Sequence, residues 1–166
     1  MAAAVKLDRD HWFDLRWHRA FRDIAGPLSR LYRETDLMDR LRDLLATHAA
    51  ARPADLVALD LDRDLNPDWF LSENMVAYVF YADRFCGRVA DIPKHLPYLA
   101  DLGVTYVHLM PCLKPRPGQS DGGYAVMDYR ALNPALGTLG DLERTAAKLR
   151  KAGVSTCIDM VLNHTA

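Results

Sequence analysis

Apolar positions along this chain follow two different periods. From Trp12 to about Asp64 they recur every three or four residues: Phe13, Trp17, Phe21 and Ile24 form one stripe, and Leu37, Met38, Leu41, Leu44 and Leu45 form a clearer one. Residues so spaced share one face of a helix, so the pattern predicts amphipathic helices. Asp36 stands where a capping carboxylate would open the second helix. Gly26 and Pro27 interrupt the first stripe, because proline lacks the donor a helix interior needs. Arg52 and Pro53 separate the second stripe from a third segment, Ala54 to Leu61. Residues 1–72 therefore read as an N-terminal helical domain whose interspersed charges suit solvated helix faces.

Near Asn66 and Pro67 the period changes. Met75 to Tyr81 is apolar on both alternating sets of positions, which predicts a strand covered on both faces. Ile92, Leu96 and Leu99 then repeat at helical spacing, and Gly103 supplies a left-handed stop before a second strand, Val104 to Met110. The next round has the same form. Thr138 and Asp141 make a capping box, Leu142, Ala146 and Leu149 mark a buried stripe, and Gly153 precedes a third strand, Val154 to Leu162. Successive strand, helix, strand rounds imply parallel neighbours joined by right-handed crossovers. The first strand-to-helix turn lacks GxGxxG and there is no Walker loop, so a dinucleotide-binding sheet is disfavoured. The other common host is a β/α barrel, whose reactive groups sit at the carboxyl ends of its strands. The predicted class is α/β: the helical domain, then in residues 73–166 the first three strands and two helices of a TIM (β/α)8 barrel, incomplete.

Charge narrows the function. With 21 Lys and Arg against 22 Asp and Glu in 166 residues, the net charge is −1, so bulk attraction draws in neither nucleic acid nor an anionic membrane. Met1 to Val5 is too short for the apolar region of a signal peptide, and Met75 to Ala82 is far below the ~20 residues a membrane helix needs. A cytoplasmic location is the expectation. Cys86, Cys112 and Cys157 show no paired CxxC or CxxH spacing, so they read as reduced thiols rather than as a disulfide framework or a zinc site.

Candidate chemistry lies after the second and third strands. The stretch Pro111 to Thr138 reads as a long loop without regular structure, and loops of that length in compact domains are usually functional. It carries Asp121, Tyr124, Asp128 and Tyr129 among glycines and prolines. A carboxylate beside an aromatic ring suits a sugar, whose C–H face stacks and whose hydroxyls donate. An Asx turn at Asp121 with Tyr124 buried for packing explains the same residues and stays open. After the third strand, Asp159, Val161 and Asn163 share one face if the strand continues, and His164 lies just past its end. A buried Asp159 needs a partner, normally Arg or several N–H donors. Asn163 and His164 are able to orient hydroxyls, to ligate metal or to serve packing alone, but one Asp and one His do not make a zinc site.

Two motifs carry a resemblance. GYAVMDYRALNPALGT followed by a helix, together with the Asp159-x-x-x-Asn163-His164 signature, makes the chain from about Asn74 onward resemble the α-amylase family of glycoside hydrolases and transglycosylases. SDGGYAV, YVHLMP, NPALGTLGDL and the preceding helical domain are most similar to its amylosucrase branch, as is Ala125, where generic amylases usually carry Asp. The resemblance implies retaining double displacement on sucrose and α-glucans. It implies that Asp121 grips the glucosyl unit at its non-reducing side, that Tyr124 stacks on it, and that His164 hydrogen-bonds hydroxyls next to the broken bond. Asp159 and Asn163 would brace the base of the site. No cofactor is implied, and no metal: the Asn contributes to a calcium site only in some relatives. In the family the nucleophile and acid/base stand at the ends of the fourth and fifth strands, so the resemblance places them beyond residue 166 and makes the chain an N-terminal fragment, inactive and marginally stable alone. The alternatives are a sucrose hydrolase, a trehalose synthase-like enzyme or an amylase, or a non-catalytic helical interaction module with an α/β remnant.

Overall fold

The computed structural model describes residues 8–119 and 121–166. The chain divides into two compact units, one ending at Pro67 and the other spanning Asp68–Ala166. No described helix is long and apolar enough to cross a membrane.

Among its described residues the first unit contains three helices. In α1 (Arg9–Leu31) the Asp8 carboxylate accepts from the backbone N–H groups of Asp10 and His11 at 3.1 and 3.2 Å, which satisfies donors the helix leaves free. The expected interruption at Gly26 and Pro27 does not occur; α1 runs through both. Proline forfeits one donor there, but its φ is helical, and Tyr32 N–H still closes the last turn on Leu28 O at 2.8 Å. Asp36 does stand at the N-cap of α2 (Leu37–Ala51), yet its side chain makes no cap bond. Its φ of −95° and ψ of 0° are not the extended backbone that aims a capping oxygen. Arg52 and Pro53 separate α2 from α3 (Ala54–Leu65), which runs past the expected end at Leu61. Ion pairs link the helices: Arg42 with Asp14 at 2.7 Å, and Arg16 and Arg19 with Asp64 at 3.4 and 3.2 Å.

The second unit is built on three parallel strands, β1 (Ala77–Phe80), β2 (Tyr106–Leu109) and a last strand, Ser155–Ile158, in that spatial order. A short helix α4 (Ala82–Phe85), a 3-10 turn (Val89–His95) and α5 (Leu96–Asp101) connect β1 to β2. Ile92 and Leu99 of the predicted stripe are wholly buried, although the element is part 3-10 and part α because Pro93 and Pro97 remove donors. Between β2 and the last strand comes an antiparallel pair, β3 (Leu113–Pro115) and β4 (Val126–Leu132), where the sequence reads as an unstructured loop. Next comes α6 (Leu139–Lys151), and the last strand is β5. The capping box of α6 is formed: Thr138 N–H donates to Asp141 Oδ2 at 2.8 Å and Asp141 N–H donates to Thr138 Oγ1 at 3.2 Å. Gly103 and Gly153 occupy equivalent left-handed stops, at φ of 70° and 78°, and in each the next valine N–H returns to a leucine carbonyl at 2.9 Å.

Phe80, Val107 and Leu109 point from one face of the sheet into a core with Val89, Ile92, Leu99 and Leu149. The Thr145 hydroxyl, 2% exposed, donates to Val89 O at 3.0 Å and so enters that core without an unpaired group. The other face is open: Val79 of β1 is 55% exposed, which corrects the expectation of a strand covered on both sides. Successive side chains point to opposite faces, and the core helices cover one. The strand expected over Val154 to Leu162 also ends earlier, at Ile158, although Asp159 N–H still reaches Leu109 O at 3.2 Å.

Candidate functional site

The open face is where polar groups collect. The register aligns Val79, His108 and Cys157 across the three strands, and two residues further along each chain segment Tyr81, Met110 and Asp159 follow the carboxyl ends. His108 Nε2 lies 2.7 Å from Asp159 Oδ1, and the Tyr124 hydroxyl donates to Asp159 Oδ2 at 3.4 Å. The partners of Asp159 are therefore an imidazole and a phenol rather than the arginine the sequence suggests. Desolvation, then the charge of Asp159 and the neighbouring Tyr81, raise the Tyr124 phenol above its ordinary value, so it stays protonated and remains a donor. Burial, and then Asp159, raise the Cys112 thiol in the same way, which keeps it an unreactive thiol. Cys86, Cys112 and Cys157 are all free.

The loop that carries Asp121 is bent by two glycines. Gly122 and Gly123 have φ of 83° and 86°, a region that disfavours any side chain. A Cβ on Gly122 would also stand 2.9 Å from the Tyr81 hydroxyl, and one on Gly123 would stand 3.3 Å from Pro111 O. Gly123 N–H donates to Asp121 Oδ1 at 3.2 Å, so the Asx turn is present. It does not exhaust Asp121, which is exposed and whose carboxylate offers about four acceptor positions. Backbone N–H donation from Ala125, assisted by Arg116 and Gly123, holds this carboxyl below its usual range and keeps it ionised.

The segment after β5 is fixed from β4. The Tyr129 hydroxyl donates to the carbonyls of Val161 and His164, the latter at 3.2 Å. Asn163 Nδ2 lies 3.4 Å from His164 Nδ1, and both side chains are exposed. The structure thus joins Tyr124 to Asp159 and Asn163 to His164, and it ties Asp121 to its own loop. Among the described residues, no hydrogen bond links His164 to Asp121 or Tyr124. Tyr81 and His108 are the members that sequence reasoning missed. A polar residue at the centre of the apolar run Val104 to Met110 was the available signal for His108.

Each unit carries a cleft. One of about 470 Å³, beside the glycine loop, is lined by Tyr81, Asp83, Pro111, Gly122, Gly123 and Asn133. The other, about 370 Å³, lies within the helical unit over Trp12, Phe13 and Trp17. Of its rim arginines, Arg16, Arg19 and Arg52 already pair with Asp64 and Asp60.

The sequence model described as alpha amylase, catalytic domain, matches residues 51–166. The chain belongs to the α-amylase family. Its three parallel strands and crossover helices are accordingly a portion of that family's (β/α)8 barrel, and the polar groups just described stand at the barrel's carboxyl rim. Among curated relatives, the trehalose-6-phosphate hydrolase of Escherichia coli (strain K12) is 35% identical over 107 residues, which is 60% of this chain and 18% of the hydrolase. A Bacillus licheniformis trehalose-6-phosphate hydrolase structure superposes with TM-score 0.52 and 28% identity, over 59% of this chain and 18% of that one. An isomaltulose synthase from Erwinia rhapontici, solved in complex with its natural substrate sucrose, does so with TM-score 0.50 and 29% identity over 56% and 18%. This α-amylase-family chain thus spans about a fifth of the length of these proteins.

Proposed function

We propose that this chain carries the glucosyl-binding rim of a retaining enzyme that acts on α-glucosides, with sucrose as glucosyl donor in the manner of an amylosucrase. The observation that carries the proposal is the Asp159-centred cluster at the strand ends, with an exposed, ionised Asp121 on the adjoining loop. Tyr124 offers an aromatic face to the C–H side of a pyranose, Asp121 accepts from its hydroxyls, and His164 bonds hydroxyls near the scissile linkage. Asp159 and Asn163 brace the base.

A retaining mechanism needs two carboxyl groups about 5 Å apart, one to form the glucosyl-enzyme and one to protonate the departing oxygen. Those two groups are not assigned to residues of this chain. In the reaction, fructose leaves, and the glucosyl group passes to an α-glucan or to water. The sucrose complex of the Erwinia rhapontici neighbour favours this donor, whereas the trehalose-6-phosphate hydrolases favour hydrolysis of a trehalose-type donor. Product analysis of the whole enzyme on sucrose, trehalose and maltose separates the two readings. Asp121→Ala or His164→Ala removes a charged or polar anchor and lowers kcat/KM by roughly 10- to 100-fold. Near-normal sucrose consumption by both variants overturns the assignment.

A further inference from the structure

We propose that His108 is a positioning residue: by holding one oxygen of Asp159 from the middle of β2, it aims the other at Tyr124 and so sets the plane of that ring. For its effect on sugar this rests on the preceding reading of Tyr124; for the geometry of the ring it does not.

The argument begins with freedom. A carboxylate turns about a broad, nearly two-fold terminal torsion, so a single hydrogen bond to it leaves the second oxygen poorly directed. Here Oδ1 is occupied by His108 at 2.7 Å, and Oδ2 is presented to the Tyr124 hydroxyl. Tyr124 itself follows two glycines in left-handed conformations, on a loop rather than on a helix or central strand. Its hydroxyl is therefore the anchor that ties the ring to the rigid sheet. His108 is well placed to control that anchor because β2 is the central strand, paired on both sides. Its side chain and that of Asp159 are 31% and 23% exposed, which leaves room for only limited competition by water. A carboxylate accepts, so the contact with Asp159 makes Nε2 the donating nitrogen of the imidazole.

A merely structural pair would have a different signature. If His108 only compensated the Asp159 charge, its loss would lower stability and leave the ring in place. The test uses the full-length protein. His108→Phe removes the donor, His108→Asn retains polarity but is too short to reach Asp159, and His108→Gln puts an amide N–H about where Nε2 stands. Crystal structures of the variants read the Tyr124 ring directly, and initial rates on sucrose read the consequence. The Phe and Asn variants are expected to displace the ring and to raise the KM for sucrose roughly tenfold, with a smaller change in kcat, whereas Gln restores both to within about threefold. A wild-type ring position in either disrupting variant overturns the proposal, as does a Gln variant that folds and is as impaired as Phe. Tyr124→Ala separates the two readings. If it leaves the sucrose KM unchanged, the sugar-platform assignment fails, while the ring displacement still decides the role of His108.

Discussion

The α/β unit buries Ile92, Leu99, Val107, Leu109 and Leu149 completely, whereas the helical unit buries only Trp17 and Val57 among the described residues and leaves Leu15, Leu44 and Leu65 more than half exposed. Both units are amphipathic in sequence. The difference is geometric: a parallel sheet backed by helices encloses a continuous layer of side chains, while three helices enclose only the narrow seam where their stripes meet. The helical unit adds interhelical ion pairs, which contribute less per contact than buried aliphatic surface. Stability in the two units should therefore respond to different perturbations.

The largest contrast lies in truncation. Leu109→Ala opens a cavity in the sheet core and is expected to cost about 2–5 kcal/mol. Leu44→Ala, at a position 56% exposed, should stay within about 0.5 kcal/mol. Urea denaturation followed by hydrogen exchange in each unit measures both. Equal costs would mean that the cores do not differ as described.

Glycine substitutions should differ in sign. Gly103→Ala forces a side chain onto a left-handed backbone at φ 70° and is expected to destabilise the α/β unit by about 1–2 kcal/mol. Gly26 lies within α1 with open space around its Cβ direction, so Gly26→Ala should stabilise the helical unit by about 0.5–1 kcal/mol. Thermal melts of the two variants, moving in opposite directions, would confirm the contrast.

The helix caps give the next contrast. Thr138→Ala removes a formed capping box and should cost about 1 kcal/mol, while Asp36→Ala removes a side chain that caps nothing and should cost little. Asp141 adds a pH dependence. Hydrogen bonds from Thr138, and the nearby Arg144, hold its carboxyl below the ordinary value. Its contribution is therefore complete above the ordinary carboxylate range and is lost as pH falls through the depressed value. Asp141→Asn should flatten the acid limb of the α/β unit's stability curve, and a wild-type limb in that variant would remove Asp141 from the account.

These contrasts track what was legible in the chain. Thr138, Asp141, Gly103 and Gly153 carry local rules whose partners lie within a few residues, and each formed as the sequence indicates. The β3–β4 pair was hidden because β4 is buried mainly at Val126 and Leu132 and its pairing shifts register twice, so no clean alternation marks it. Pro27 misled because a helix can absorb one missing donor when its neighbours are satisfied. Among the candidate residues, Asp121 and Tyr124 were recognisable as polar and aromatic types on a glycine-rich loop, and Asp159, Asn163 and His164 as polar types at or after a strand end. The partnership of His108 with Asp159 was not, because it spans 51 residues and depends on the parallel register of β2 and β5.

Ionic strength should produce the smallest effect and the most selective one. Exposed ion pairs contribute about 0–1 kcal/mol each, and at about 1 M salt the screening length falls to roughly 3 Å, comparable to the pair distances themselves. Arg16 and Arg19 with Asp64, and Arg42 with Asp14, lie between helices, with arginine side chains 43–68% exposed. Added sodium chloride should therefore lower the helical unit's stability by a fraction of a kcal/mol per pair, while an apolar core has no charges for it to screen. Sulfate would mask the effect, because it also strengthens apolar burial, so chloride is the salt to use. Asp64→Asn removes the shared acceptor and should abolish part of the salt sensitivity of the helical unit without moving the α/β unit. Equal salt sensitivity in both units would show that the helices are held by their apolar seam alone.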